Sequence, residues 1–438
     1  MKYFKLFLLI LLCFISSDVE AREINHQART SRTVLDNGLV ALVVEEPQSE
    51  VVAIEYMVLC GVSQEGSNLQ GYNNLILQIL KNRVISDESG DDVVEITGSL
   101  VDCGASKDFS RLHAVTTTAN ANFIFNRLLK AITDCNFTEK EVETARQQML
   151  NLMGENGGTS SQLYDIFLSC FYRLHPYKRS VQGVPVILKR VTAAEVSQYF
   201  RQNFSADRTV LAVAGAANSH TIFETVRQKC KNMLPSSSRK SLEIQWEPKA
   251  EEREVYLHSR SELAWVLIGY QAPPLYSPDY QAMKVIYGVL GSGLSSRLWL
   301  ELRENRGLAY EVGARYPELT GPSHLLCHII TKPTSTGLAR RRMLAEIDKI
   351  KREGISQQEL SDTKEKLLGA YLLERETLSG KILHLCMAEL AGRSYQEDAR
   401  SLQDLERVTV EDVKRVANRY LVEPTIIVAR PGGRLYFE

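Results

Sequence analysis

The sequence has almost no excess charge of either sign, since 52 lysines and arginines stand against 53 aspartates and glutamates in 438 residues. This balance excludes a broad basic surface for nucleic acid as the dominant feature. Intrinsic disorder is excluded too, because 44% of the residues are hydrophobic. Beyond the N-terminus, no apolar run approaches the ~20 residues that cross a bilayer. We therefore expect a folded protein of two or three domains, with no nucleic-acid partner and no membrane span.

Common catalytic signatures are also absent. There is no Gly-x-Ser-x-Gly nucleophile elbow, and the glycine-rich segment 288–293 lacks the lysine of a phosphate-binding loop. The cysteines form no Cys-x-x-Cys pair, and seven remain beyond Cys13. We expect most of the seven to be small core residues. Their odd number leaves at least one thiol free or paired to another chain.

The N-terminus has the pattern of a secretory signal peptide. Two lysines precede the apolar run 6–15, and Val19 and Ala21 occupy positions −3 and −1 of a cleavage site. We predict a signal peptide over residues 1–21 and an exported mature chain, which is periplasmic in a Gram-negative bacterium and otherwise secreted. A short N-terminal anchor is the alternative.

The chain contains an internal duplication. Segment 191–196 (VTAAEV) recurs 217 positions later as 408–413 (VTVEDV), and each copy is followed by a strand-like apolar segment. Segment 137–142 likewise resembles 355–360, which begins 218 positions later. A period of this length indicates two homologous domains, because solenoid repeats are only ~20–50 residues long.

Each half mixes strand-like and helix-like segments. Thr138 and Ser356 each stand three residues before a glutamate and so predict capping boxes at helix starts. The predicted fold class is α+β, with two homologous domains that each pack helices on one face of a sheet. A Pro/Ser-rich linker within 233–250 separates domains predicted over 22–240 and 250–438.

Motifs in both halves resemble one known family. Segments 61–65 (GVSQE) and 71–80 (GYNNLILQIL), together with 302–312 (LRENRGLAYEV), are similar to signatures of the insulinase/pitrilysin (M16) metallopeptidases. The mitochondrial-processing-peptidase-like bacterial subgroup is the most similar, and the resemblance runs from about Arg32 to Gly432. It implies a duplicated M16-like fold. It also implies a His-x-x-Glu-His zinc helix in the first domain and an Arg/Tyr pair in the second.

The zinc motif is degenerate in this chain. Asn74 and Gln78 occupy the positions of the two histidine ligands, and Leu77 that of the general-base glutamate. The third ligand would fall near residues 151–152, where the only carboxylate close downstream is Glu155. Amides are poor zinc ligands, and water without a metal keeps its pKa of ~15.7. We therefore expect a buried helix, no metal and no catalytic residue here.

The Arg/Tyr signature of the second domain is intact. Arg303 and Tyr310 match the positions that the resemblance assigns to substrate contact beside the scissile bond. Both side chains are donors suited to a developing oxyanion. The structural alternative is a helix-end salt bridge for Arg303 and a core position for Tyr310.

A second metal site is not expected. His324, Cys327 and His328 are the only close histidine/cysteine cluster in the sequence. The flanking residues predict a strand, in which four residues span ~13 Å, too far for one zinc ion.

These observations predict an inactive metallopeptidase homologue. The leading hypothesis is a non-catalytic, peptide-binding subunit of an exported M16-type zinc peptidase heterodimer. The chain would supply the Arg303/Tyr310 half of the site, a partner subunit would carry the zinc, and extended peptides would add to a sheet edge. Two alternatives stay open: a stand-alone scaffold or peptide-binding pseudopeptidase, and a residual zinc metalloendopeptidase.

Overall fold

A computed structural model describes residues 29–86, 93–155, 158–236, 253–259, 261–432 and 436–437. The predicted signal peptide and most of the predicted linker lie outside these residues, and the domain boundaries stay a prediction. We refer to residues 29–236 as the N-terminal half and to the described residues from 253 onward as the C-terminal half.

The strands of the described residues form two six-stranded sheets, one in each half. In chain order they are β1 Arg29–Val34, β2 Val40–Glu45, β3 Val51–Val58, β4 Leu100–Ala105, β5 Ser110–Thr117, β6 Thr209–Gly215, β7 Arg253–Ser259, β8 Ala264–Ala272, β9 Ala309–Arg315, β10 Ser323–Thr331, β11 Thr425–Pro431 and β12 Tyr436–Phe437.

Helices surround the sheets. In chain order they are α1 Tyr72–Ile85, α2 Val93–Thr97, α3 Ala121–Thr133, α4 Glu139–Glu155, α5 Thr159–Tyr172, α6 Pro185–Leu188, α7 Ala193–Asn203, α8 Ser219–Cys230, α9 Tyr280–Gly291, α10 Arg297–Trp299, α11 Thr336–Glu353, α12 Gln357–Glu374, α13 Leu378–Leu390, α14 Glu397–Arg407 and α15 Val410–Tyr420. None of these described helices combines the length and apolarity that a membrane crossing requires.

The two sheets repeat one topology over five of their six strands, whereas the sixth strand precedes these five in the first sheet (β1) and follows them in the second (β12). Their strand orders are β1-β2-β6-β3-β5-β4 and β12-β7-β11-β8-β10-β9. Each contains one parallel pair, β2 with β6 and β7 with β11, among antiparallel neighbours. Both predicted capping boxes are present: Thr138 and Ser356 exchange hydrogen bonds with the glutamates three residues later. The predicted duplication and the α+β class are confirmed.

Each half contributes one helix to the sheet of the other. Helix α5 packs Phe167 against Ile427 on one face of the second sheet. Helix α13 packs Ile382 against Met57 on one face of the first sheet. The opposite face of each sheet is covered by helices of its own half. Burial on both faces explains why β3 is apolar at nearly every position. The packing of α5 and α13 on the sheet of the other half also stabilises the contact between the halves.

A buried polar cluster also joins the halves. The Tyr177 hydroxyl donates to the Asp108 carboxylate. The second oxygen of Asp108 accepts the Thr320 N–H at 2.8 Å, and the Tyr177 oxygen accepts the Gly321 N–H at 3.0 Å. Because Asp108 and Tyr177 are almost fully buried, water cannot replace these bonds without opening the interface between the halves.

Candidate functional site

Helix α1 carries the positions of the zinc motif, and a buried carboxylate fixes its start. The two oxygens of Glu65 accept the N–H groups of Gly71 at 2.9 Å and of Asn73 at 2.8 Å. Burial raises the pKa of Glu65 to about 7, although these two N–H groups oppose the shift. Glu65 therefore caps the helix, a role that we did not assign to it from the sequence.

The two residues at the histidine positions make structural hydrogen bonds. The Asn74 oxygen accepts the Ala105 N–H of β4 at 2.8 Å, and its amide nitrogen donates to the Val181 carbonyl. The Gln78 amide donates to Asn82 Oδ1 at 3.1 Å. Asn74 therefore ties α1 to the last strand of the sheet, and its oxygen is already engaged.

The residue at the general-base position is part of the hydrophobic core. Leu77 is fully buried and belongs to the apolar core between α1 and the sheet. Leu75, Ile76, Ile79 and Leu80 are buried in the same core. The prediction of a buried helix is confirmed, and no proton acceptor replaces the missing glutamate at position 77.

A cavity of about 200 Å³ lies beside Asn74 and Gln78. We call it the α1–α4 cavity. It is lined by three amide residues, by three sulfur-containing residues and by one leucine: Asn74, Gln78, Gln182, Cys103, Met149, Met153 and Leu152. Burial raises the pKa of the Cys103 thiol to about 12, against a smaller opposing effect of Lys81.

The cavity does not fit a catalytic zinc ion. Zinc takes imidazole, carboxylate or thiolate ligands, and Cys103 is the single lining residue of these types. Leu152, near the expected third ligand, is apolar and half exposed. Glu155 ends α4, and its side chain falls outside the described part of the structure. Across the described residues, no group of three His, Cys, Asp or Glu side chains could hold a metal.

Arg303 and Tyr310 meet in the C-terminal half. Helix α10 continues into a π-helical turn, Leu300–Glu304, which carries Arg303. Its guanidinium lies 4.4 Å from the Trp299 ring centre and donates to the Tyr310 carbonyl oxygen at 2.5 Å. The Tyr310 side chain is 52% exposed at the start of β9, so the alternative of a core tyrosine is wrong.

The α1–α4 cavity includes Asn74 and Gln78 but neither Arg303 nor Tyr310. All residues that line the α1–α4 cavity belong to the N-terminal half, whereas Arg303 and Tyr310 lie in the C-terminal half. Sequence reasoning also missed Cys103, Met149 and Met153. The sequence offered one indication of the two methionines: both lie within two residues of positions 151–152, where the third zinc ligand was expected.

The histidine cluster lies on a strand, as predicted. His324 in β10 is buried, and its Nδ1 and Nε2 atoms lie 2.8 Å and 3.2 Å from the hydroxyls of Tyr172 and Tyr164. Burial lowers the pKa of His324 to about 3. His328 Nε2 lies 3.2 Å from Glu311 Oε1. Each histidine thus has a partner of its own.

Comparisons with known proteins identify the family. A profile described as "Peptidase M16 inactive domain" matches residues 190–367. An uncharacterized zinc protease of Mycobacterium bovis is 24% identical over 400 residues, which are 89% of this chain and 90% of the relative. Zinc protease PqqE of Helicobacter pylori is 23% identical over 96% of this chain and 97% of its own length. Over most of its length the chain is a homologue of proteins named zinc proteases, and its residues 190–367 match the M16 inactive-domain family.

Solved structures show the same M16-like fold. A protease from Helicobacter pylori superposes with a TM-score of 0.82 at 21% identity, covering 92% of this homologue and 100% of the protease. A structure from Pseudomonas fluorescens, titled a peptidase M16 inactive domain, gives a TM-score of 0.79 at 18% identity and covers 93% and 98%. At such identities the likeness establishes the fold. The recognised family and the fold class are confirmed, and the subgroup stays a prediction.

Proposed function

We propose that this M16 homologue is a non-catalytic, peptide-binding subunit of an exported zinc peptidase heterodimer. It supplies Arg303 and Tyr310 to a shared site, and the zinc ion belongs to the partner subunit. In this arrangement the heterodimer hydrolyses peptides with the zinc ion of the partner, and this chain does not have to bind a metal for that reaction. The match to an inactive-domain profile over residues 190–367 covers the part that carries Arg303 and Tyr310 and is consistent with a non-catalytic role for that part.

One contrast carries the proposal. The helix of the zinc motif has Asn74, Leu77 and Gln78 where ligands and base are required, and all three side chains are engaged in hydrogen bonds or in the core. Arg303 and Tyr310, in contrast, are both exposed and joined to each other. Exposed donors held in a fixed arrangement suit contact with a substrate.

The sheets offer a place for an extended peptide. Strand β4 ends the first sheet and β9 ends the second. A terminal strand presents unpaired N–H and C=O groups to which a peptide can add as a further strand. Tyr310 lies on β9 itself, so a peptide on this edge would meet the phenol directly.

The proposal is tested by reconstitution. The mature chain is assayed for zinc content and for cleavage of a peptide library, alone and mixed with an M16 protein that has an intact zinc motif. We expect cleavage only in the mixture, and a loss of about 100-fold or more with Arg303→Ala, because a lost oxyanion donor costs about 10²–10³ in rate. Arg306→Ala is the matched control, since exposed Arg306 pairs with Glu301.

Other outcomes favour the alternatives. A complex without cleavage, or peptide binding by the chain alone that Arg303→Ala leaves unchanged, would indicate a stand-alone scaffold or a peptide-binding pseudopeptidase. Stoichiometric zinc together with cleavage by the pure chain would indicate a residual metalloendopeptidase and overturn the proposal. Cleavage of the N-terminus after residue 21 in the exporting host tests the localisation.

A further inference from the structure

The α1–α4 cavity is unusually rich in sulfur. The whole chain has eight cysteines and eight methionines among 438 residues. Three of the seven residues that line this one cavity are Cys103, Met149 and Met153. The remaining lining residues are amides and a leucine, so the lining offers no histidine or carboxylate ligand and holds three soft sulfur ligands.

The sulfur atoms approach from two walls. Met149 and Met153 are four residues apart on α4 and therefore project from one face of that helix. Cys103 lies on β4 and packs with the core beneath α1, which places its thiol on a different wall. Methionine has three rotatable bonds, so the two thioethers can adjust toward a common point.

We propose that the α1–α4 cavity binds one copper(I) ion through Cys103, Met149 and Met153. Thiolate and thioether sulfurs select copper(I), whereas zinc requires nitrogen, carboxylate or several thiolate ligands. When the ion binds, the Cys103 S–H bond breaks, its proton passes to water, and a copper–sulfur bond forms. Each methionine donates a sulfur lone pair, and the copper keeps its oxidation state.

This site is independent of the proposed function. Copper(I) would bind the chain by itself, whereas the peptidase role needs a partner and depends on Arg303. Failure of one proposal therefore leaves the other standing, and the two sets of variants do not overlap.

Competition for copper(I) tests the site. The full chain is titrated anaerobically, with ascorbate, against the coloured copper(I) complex of bicinchoninate. We expect one equivalent of copper to transfer to the protein. Cys103→Ser should weaken binding by about 100-fold, and Met149→Leu and Met153→Leu by about tenfold each, at or above the cost of losing a supporting residue at a metal site. Leucine conserves the volume of methionine, so the fold is kept.

Cys170→Ser is the matched control, because Cys170 is also a half-buried free cysteine but does not line the cavity. It should leave the affinity unchanged. X-ray absorption of the copper-loaded chain should show sulfur ligands alone. The proposal is overturned if no copper transfers, if Cys103→Ser leaves the affinity unchanged, or if nitrogen ligands dominate the spectrum. Absence of copper binding would mark the cavity as a pocket that holds no metal.

Discussion

Arg303 holds Tyr310 through the main chain: Nη1 of the arginine lies 2.5 Å from the carbonyl oxygen of the tyrosine. Tyr310 is the extra residue of a β-bulge, because Ala309 pairs with Thr331 and Glu311 pairs with Ile330. A bulge turns a side chain away from the regular alternation of a strand. Arg303 therefore stabilises the backbone that aims the phenol, and it leaves the phenol hydroxyl available to a ligand.

Because Arg303 binds the carbonyl oxygen of Tyr310 and not its hydroxyl, the proposed substrate contact can be removed while the contact between the two residues is kept. Tyr310→Phe keeps the carbonyl that Arg303 binds and removes only the hydroxyl. We expect cleavage by the reconstituted mixture to fall by about 100-fold, as for one lost oxyanion donor. The free energy of unfolding should change by less than about 0.5 kcal/mol, because the side chain is half exposed. Wild-type cleavage rates for Tyr310→Phe would contradict the substrate contact.

Leu77, which occupies the position of the missing general base, is part of the hydrophobic core. Leu77→Ala should lower the free energy of unfolding by about 2–5 kcal/mol, because it removes a fully buried leucine from the core. The measurement is urea unfolding followed by circular dichroism. Leu152→Ala is the control, since that leucine is 49% exposed and should cost much less. Equal costs for the two variants would show that Leu77 is not part of the core.

Glu65 should make stability depend on pH. Burial raises its pKa to about 7 in the folded chain, above the ~4.3 of an exposed glutamate. The folded state therefore binds the proton more tightly than the unfolded state does. The resulting contribution of Glu65 to the free energy of unfolding is fully present below about pH 4.3, and it is lost as the pH rises to about 7. The loss amounts to roughly 3–4 kcal/mol.

Urea unfolding at several pH values between 4.5 and 8 measures this effect. Glu65→Gln removes the titration, so the decline of stability over this range should be smaller in the variant than in the wild type. The difference between the two pH profiles isolates Glu65 from all other groups. Parallel profiles would show that the pKa of Glu65 is not raised.

The cluster between the halves should contribute to stability. Tyr177→Phe leaves the buried Asp108 carboxylate without one hydrogen bond and the Gly321 N–H without an acceptor. We expect a loss of about 1–3 kcal/mol in the free energy of unfolding. Tyr256→Phe is the matched control, because the Tyr256 hydroxyl also donates to a carboxylate, that of Glu254, but at an exposed position. A similar loss in both variants would argue against a special role for the buried cluster.

The sequence by itself determined the features that depend on residue identity and local order. The duplication follows from repeated segments, and the capping boxes at Thr138 and Ser356 follow from residues only three positions apart. The prediction that zinc chemistry is lost follows from the functional groups of Asn74, Leu77 and Gln78, whatever the surrounding geometry. The fold class could be predicted for the same reason, since strand and helix patterns are local.

Only the tertiary structure decided which distant residues meet. Cys103 comes from an edge strand and Met153 from a helix some fifty positions later, and packing against α1 puts both beside Gln78. The exchange of α5 and α13 between the halves, and the bulge that exposes Tyr310, likewise depend on long-range packing and on strand register. Such contacts are set by the burial of whole faces against each other, which no local pattern in the sequence encodes.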